Sequence, residues 1–398
     1  FLINPVGVST NRDDWVSNFS NSELSNNMNR MIGFYNHQVK LYHTELKKDN
    51  NLKAEDFINK SLLKIKWTPR LIKDLLNNIN HQINLNLIVE HQYRPFSTEK
   101  LYYHKPFIER PGIFYNIFPT KKHKNLIITI PGKGGRKSFC VLITNKLPNL
   151  NNYDGGTQCF PLYLYEENET KQRTLFDSEK KDEFIKRDGI SDFIFKRAIK
   201  QYGKSVTKED IFYYVYGILH SSNYRNTFEN DLKKMLPRLP LLDKPRDFWS
   251  FSKAGRELAE IHLNYESVPP YDKVDIEGEE SKNYQVQKMA FGKIKKEIDG
   301  KNKSVADKSV IHFNSSITIR DIPEKAYEYV VNGKPAIEWI MERYQITIDK
   351  KSGIKNNPND WADEVGNPRY ILDLLLSIIN VSVQTVDIVE GLPKLDFE

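Results

Sequence analysis

Cysteine is nearly absent. Cys140 and Cys159 are the only two among 398 residues. That excludes a disulfide scaffold and favours a reducing, cytoplasmic setting. Long apolar runs are missing as well. The longest, Ile371–Ile379, is broken by Asp373 and falls far short of the ~20 residues that cross a bilayer, so no membrane association is expected. No basic stretch followed by an apolar core opens the chain, and no secretory signal is visible. Charge of one sign is scarce too. Lys and Arg number 59 against 52 Asp and Glu, and the balance of +7 is dilute. It permits a nucleic-acid partner without requiring one. What the chain does have is material for a core: 39% hydrophobic and 12% aromatic residues, which exclude full-length disorder. Its length suggests two or three domains, since single cores stop growing beyond roughly 250–300 residues. It opens with Phe1 rather than Met and reads as a piece of something longer.

Periodicity organises the chain as α+β, in the order helical, β-rich, helical, mixed. Residues 1–82 read as a helical connector. Leu24, Met28, Met31, Ile32, Tyr35, Val39 and Tyr42 recur at helical spacing within 21–48. Further helices are expected over 53–65 and 69–80, the latter with Thr68 as cap and Pro69 in the first turn. Residues 83–170 read as a β-rich core, with strands expected at 83–90, 101–103, 113–118, 126–130, 139–144 and 160–165. Residues 171–265 form a helical subdomain, with helices over 181–202, 208–219 and 249–264. Residues 266–398 are a mixed C-terminal part. Within it, 266–310 looks polar and exposed, 310–319 strand-like, and 326–344 and 370–389 helical.

Catalytic signatures are mostly missing. The cysteines have no C-x-x-C partner and no H-E-x-x-H occurs, so no metal site is expected. Pro131–Ser138, PGKGGRKS, follows an apolar strand and ends Lys-Ser, as a phosphate loop does. However, Arg136 stands where that loop needs Gly, and the segment after it reads as a strand rather than a helix. Glu280-Ser281-Lys282 after Asp272 and Asp275 resembles a nuclease metal motif, but its flanks are polar and the spacing short. No G-x-S-x-G elbow and no Asn-Pro-Pro-Tyr occur. The reading is a binding module with no catalytic residue of its own.

Several stretches resemble one family. Asn11–Val16 with Asn18-Phe19 is similar to a "T-x-R-D-x-W-x-x-N-F" segment. Tyr93–Phe96, Leu101–Tyr103 and Arg110-Pro111 are similar to "YRPF…YY…RP". Ile143–Pro148 with Gly155–Tyr163 is similar to "TN-x-(I/L)-P-D…GG-x-QCFPLY", although Asn149 replaces the usual Asp. Asp210–Arg225 with Leu232–Pro240, and Ile322–Tyr344 with Asn357–Trp361, continue the match in order. Together they resemble the C-terminal target-recognition region of type ISP single-chain restriction–modification enzymes, also described as DEAD/DEAH-box-helicase-like restriction proteins. The resemblance implies an upstream nuclease, an ATP-driven translocase and an adenine methyltransferase on the same polypeptide. S-adenosylmethionine, ATP and Mg would serve those domains, and no cofactor is expected in this region. The implied partners are double-stranded DNA and those upstream domains.

Two functions follow. The chain is either a DNA specificity module that positions the methyltransferase and translocase on a short asymmetric site, or mainly a scaffold between domains. The expected DNA surface is the basic run of Lys121, Lys122, Lys124, Lys133, Arg136 and Lys137. Lys and Arg neutralise phosphates, and glycines let backbone come close to a ligand. Three further candidates are weighed. Arg12 contacts either a phosphate or the neighbouring Asp13 and Asp14. Arg94 contacts a phosphate or, as the favoured reading, belongs to a structural ion pair under aromatic packing. Gln158 is of a type that reads adenine with a bidentate amide. Tyr213, Tyr214, Tyr216, Trp339 and Tyr344 are expected in the core.

Overall fold

The computed structural model describes residues 1–168, 183–298 and 301–395. Helix α1 spans Asn21–Leu46 and buries the expected apolar stripe from Leu24 to Tyr42. Ser20 starts it, its hydroxyl accepting from the Glu23 amide at 3.0 Å. Helix α2 (Pro69–Leu76) begins as expected, with Thr68 accepting from the Leu71 amide. The helix expected over 53–65 shrinks to Ala54–Phe57. Its continuation is diverted at Asn59, whose amide donates to Gln38 Oε1 at 2.9 Å and whose carbonyl accepts from Trp67 Nε1 at 2.8 Å.

Strands β1 (Ile88–Arg94) and β2 (Ser97–Tyr102) form an antiparallel pair. Ser17–Asn18 flanks β2, and Leu147–Pro148 lies parallel to β1. Residues 113–118 are not a strand. They hold a short 3-10 turn, Phe114–Asn116, which places Phe114 and Ile117 on one buried side. Spacing of three, not two, decides that segment. Strand β3 (Ile127–Pro131) runs antiparallel between β4 (Leu142–Thr144) and β5 (Thr157–Pro161). Strands β6 (Tyr163–Glu167) and β7 (Phe184–Asp188) form a separate hairpin. The helix expected over 181–202 therefore starts only at α3 (Asp192–Tyr202), capped by Ser191; residues 181–182 and the 170/171 boundary lie outside the described residues.

Helix α4 (Lys208–Ile218) opens on a capping box of Thr207 and Asp210. Helix α5 (Pro245–Leu263) crosses it where Gly217 meets Gly255. A Cβ on Gly255 would collide with the carbonyl of Tyr213 and stand 3.0 Å from the Gly217 amide, so only glycine permits this crossing.

The polar stretch 266–310 is not loop throughout. It contains β8 (Asp275–Glu277), β9 (Ala290–Ile298) and most of β10 (Lys301–His312), which with β11 (Thr318–Arg320) make a sheet of order β8-β11-β10-β9. The helix expected over 326–344 is split. A tight turn at Asn332-Gly333, both at positive φ, joins two short strands before α6 (Ala336–Arg343). Helix α7 (Tyr370–Glu390) closes the fold. Against the sequence expectation, its 21 residues are long and apolar enough to cross a membrane, with a mean hydropathy of 1.6 over 18 residues. Two-thirds of that window is buried inside the protein, which makes it a core helix apolar on nearly every side.

Three apolar cores result. One gathers α1, α2 and the β2 side; one gathers β3 with α4 and α5; one gathers the 265–386 region around α6 and α7. Residues between 83 and 170 enter all of them, through Leu101, Ile128 and Cys140 respectively. Helices beside mostly antiparallel sheets give the expected α+β class.

Candidate nucleic-acid interface

All six cations of the expected basic surface are exposed, but they do not form one cluster. Lys121, Lys122 and Lys124 precede β3, whereas Lys133, Arg136 and Lys137 follow it. A five-residue strand separates the two groups by about 14 Å at 3.4 Å per residue. The sequence places them close together; extended backbone pulls them to opposite ends of β3.

The first group sits on a turn pinned against the β6–β7 hairpin. Thr120 Oγ1 and His123 Nδ1 are 2.7 Å apart, and the His123 ring lies edge-on to Tyr165 and Phe184. Tyr165 donates its hydroxyl to the Lys124 carbonyl at 2.7 Å. The backbone is held from inside, and the side chains point to solvent.

The second group rides a glycine loop whose glycines serve loop-to-loop contact. The Gly132 amide donates to the Gly156 carbonyl at 2.9 Å, and the Gly134 amide to the Lys233 carbonyl at 3.2 Å. A Cβ on Gly135 would stand 2.7 Å from the Asp154 carbonyl oxygen. These backbone groups are turned towards the protein, and irregular chain and then β4 follow, so no phosphate cradle forms. Arg136 donates its amide to Asp154 Oδ2 at 2.8 Å, and its guanidinium lies 3.6 Å from the same oxygen. That amide first, then the guanidinium charge, holds the Asp154 carboxyl below its ordinary range. The Lys137 stem lies against Gly333, where a Cβ would stand 2.9 Å from Lys137 Cδ.

The other three candidates are drawn inward. Arg12 is 1% exposed, and none of its guanidinium nitrogens has a hydrogen-bond partner among the described residues. Thr10 instead donates its hydroxyl to Asp13. Burial lowers the Arg12 pKa to about 10, partly offset by Glu109, so it stays cationic. Neither a phosphate contact nor a hydrogen-bonded pair with Asp13 or Asp14 fits this position. Arg94 stacks on Tyr93, 4.0 Å from the ring centre, and donates to the Tyr93 carbonyl and to Asn149 Oδ1. This is the structural arrangement, with the amide of Asn149 in place of a carboxylate. Gln158 donates its amide to the carbonyls of Asn4 and Pro5 and so holds the N-terminal segment on β5. An amide nitrogen used in this way is not presented to a base.

Two buried polar clusters look like chemistry but are arranged as joints. Ser17 Oγ lies 2.7 Å from His91 Nε2 and donates to Glu99 Oε2 at 2.6 Å. A serine hydroxyl has a single proton, so donation to Glu99 leaves His91 as the donor to Ser17. That is the reverse of an activated nucleophile. All three side chains are almost inaccessible, and burial pushes the His91 pKa down to about 3. In the second cluster, Tyr216 donates to His262 Nδ1 at 2.6 Å, and His262 Nε2 meets Thr385 Oγ1 at 2.8 Å. Cys140 and Cys159 are free and buried, and burial raises the Cys140 thiol to about 12. No group of three or more metal-ligating side chains occurs among the described residues.

A family model for the type ISP C-terminal specificity domain matches residues 1–374. The chain belongs to that family. Among solved structures, the specificity domain is similar to a nuclease-deletion mutant of the type ISP restriction–modification enzyme LlaGI in complex with a DNA substrate mimic. That match has 37% identity and a TM-score of 0.81, and covers 100% of this chain and 33% of that one. The ATP-dependent type ISP enzyme LlaBIII bound to DNA matches at 35% identity and a TM-score of 0.82, over 100% of this chain and 23% of that one. A DrdV–DNA complex matches at 29% and 0.78, over 99% and 36%. The specificity domain thus spans 23% to 36% of the length of the chains it resembles. No curated protein matches its sequence.

The sequence reading missed one exposed basic element, the β9–β10 ribbon. Its signal was present: lysines at 293, 295, 296, 301 and 303 around Asp299-Gly300, a dipeptide that favours tight hairpin turns.

Proposed function

We propose that this specificity domain recognises a DNA target for a larger ATP-dependent restriction–modification polypeptide. In this reading it holds a duplex so that an adenine methyltransferase, and a translocase with a nuclease, act at a short asymmetric site. The observation that carries it is the likeness of the whole chain, at 37% identity, to a type ISP enzyme solved with a DNA substrate mimic. S-adenosylmethionine, ATP and Mg belong to the other domains of that polypeptide, which are partners alongside double-stranded DNA. The setting is cytoplasmic. The two lysine groups at the ends of β3 take phosphates, which fixes register without reading sequence. The target adenine leaves the stack before methylation.

Exchanging this domain between two family members with different targets tests the proposal. The methylated sequence is expected to follow the exchanged domain. Methylation that stays with the recipient's original sequence refutes recognition and leaves the domain a scaffold.

A further inference from the structure

We propose that the β9–β10 ribbon is a second duplex-binding element, which lies in the major groove of the DNA and closes on its phosphates. The inference rests on the reading of the chain as a DNA specificity domain and adds where the duplex is gripped.

The ribbon stands out of its sheet. Beyond the base, Gly292 to Ile298 pair only with Asp307 to Lys301, while β10 meets β11 only at Ile311 and His312. Seven residue pairs make an arm about 20 Å long. Side chains 293–297, 301–304 and 306 are exposed. A lone two-stranded ribbon is marginal in water, so an arm that buries so little is poorly supported by its own contacts. Its base is built with care. The register shifts between Phe291 and Gly292, and a Cβ at Gly292 would stand 2.9 Å from Val310 Cβ. Such bulges re-aim a strand pair. Lys308 anchors this base through Glu338 at 2.9 Å and lies over the Tyr327 ring.

The charge selects the occupant. The two strands carry six lysines against two acids, Glu297 and Asp307. Lys293 and Lys295 share one face, and Lys296, Lys301 and Lys303 the other. Lys296 sits directly opposite Lys303. Lysines on an exposed edge also discourage edge-to-edge pairing, but charges of either sign serve that purpose. An excess of one sign on both faces suits a polyanion that surrounds the element. A protein partner would need an apolar centre, and Ile294–Val305 is the only cross-strand pair of the described arm that is apolar on both sides. The major groove, about 12 Å wide, admits a two-stranded ribbon and presents phosphates along both of its walls.

The test uses the full-length polypeptide. In one variant Lys293, Lys295, Lys296, Lys301 and Lys303 are all replaced by Gln, and in a second by Arg. A third carries Ser304→Cys, an exposed thiol in a domain whose own two cysteines are buried, tethered to a DNA-cleaving iron chelate, with the parent polypeptide treated identically so that only cutting added by Ser304→Cys is counted. Duplex affinity is expected to fall at least tenfold in the Gln variant, with a flatter salt dependence, and to be kept in the Arg variant. The tethered reagent is expected to cut at one fixed place relative to the target. Parental affinity in the Gln variant with no cutting by the tethered reagent overturns the ribbon's role while DNA recognition stands. So does a loss of affinity in both the Gln and Arg variants without cutting, which marks the ribbon as a structural or protein-docking element. Failure of the parent itself to bind duplex overturns the functional reading and the ribbon proposal with it.

Discussion

Replacing Lys133, Arg136 and Lys137 by Ala asks whether the glycine loop grips phosphates. The structure sets the expected size. Lys133 and Lys137 present their ammonium groups to solvent, whereas Arg136 already shares Asp154. Two effective phosphate contacts are therefore lost, and each contributes about 0.9 to the slope of log affinity against log salt. The slope should flatten by about 1.8. From 50 to 200 mM salt, the advantage of the parent over the variant should then shrink about twelvefold. Fluorescence anisotropy of a labelled duplex, titrated with the full-length polypeptide across a salt series, reads both quantities. A matching variant at Lys121, Lys122 and Lys124 should flatten the slope further. The two groups lie at opposite ends of β3, so their effects should add to within about 0.5 kcal/mol. Loss should be equal on cognate and random duplexes, since phosphate contacts carry no sequence information. A loss confined to one sequence makes these residues base readers, and an unchanged slope removes them from the DNA surface altogether.

Four further outcomes test the fold. Gly255→Ala should destabilise by about 2 kcal/mol, with overpacking against the Tyr213 carbonyl outweighing the gain in helix propensity. Gly33→Ala, with nothing near its added methyl, should stabilise by about 0.5–1 kcal/mol; urea midpoints that move in the same direction refute the crossing geometry. Acid should unfold the protein early. Burial holds His91 and His262 to about 3 and His220 well below its ordinary value. The unfolded chain therefore binds more protons than the native one from about pH 6.5 down to about 3, and stability falls as pH drops through that window, by up to about 1.4 kcal/mol per pH unit per histidine. Urea unfolding that is equal at pH 7 and pH 5 contradicts this. Ser17→Ala should cost about 2–3 kcal/mol, because it strands His91 and Glu99 in a buried site, and a thermal melt identical to the parent's would deny Ser17 that role.

Much of the helical skeleton was legible because its signals are local. α1 repeats apolar residues every three or four positions, α2 has its cap and its proline, and α7 is predominantly apolar. The misses have separate causes. Asn332-Gly333 lies between two apolar segments that together mimic a single helix, a pattern that hid the turn preference of the dipeptide until the positive φ at both residues showed it. The β9–β10 ribbon buries almost nothing beyond its base, so the alternation that marks a half-buried strand is lacking. For the candidate site, residue type was legible but placement was not. The amide of Gln158 is taken by Asn4 and Pro5, more than 150 positions away, and no local pattern records that contact. The six cations were recognised as basic and exposed, and the five extended residues of β3 divide them into two groups.

The buried polar joints bear on what a specificity domain must do. Reading a sequence requires that phosphate contacts and base contacts keep a fixed relation, and apolar packing alone tolerates small slides between cores. Ser17, His91 and Glu99 link the Ser17–Asn18 edge to β1 and β2, and Asn356 extends the link towards the C-terminal part through Glu99. Tyr216, His262 and Thr385 join α4, α5 and α7 in the same way. Each group is useful only at hydrogen-bonding distance, so a slide of about 1 Å would leave buried donors and acceptors unpaired at a cost of about 1–3 kcal/mol each. Apolar burial supplies most of the stability. The polar joints set the register between the elements they link: the Ser17–Asn18 edge with β1 and β2, and α4 with α5 and α7.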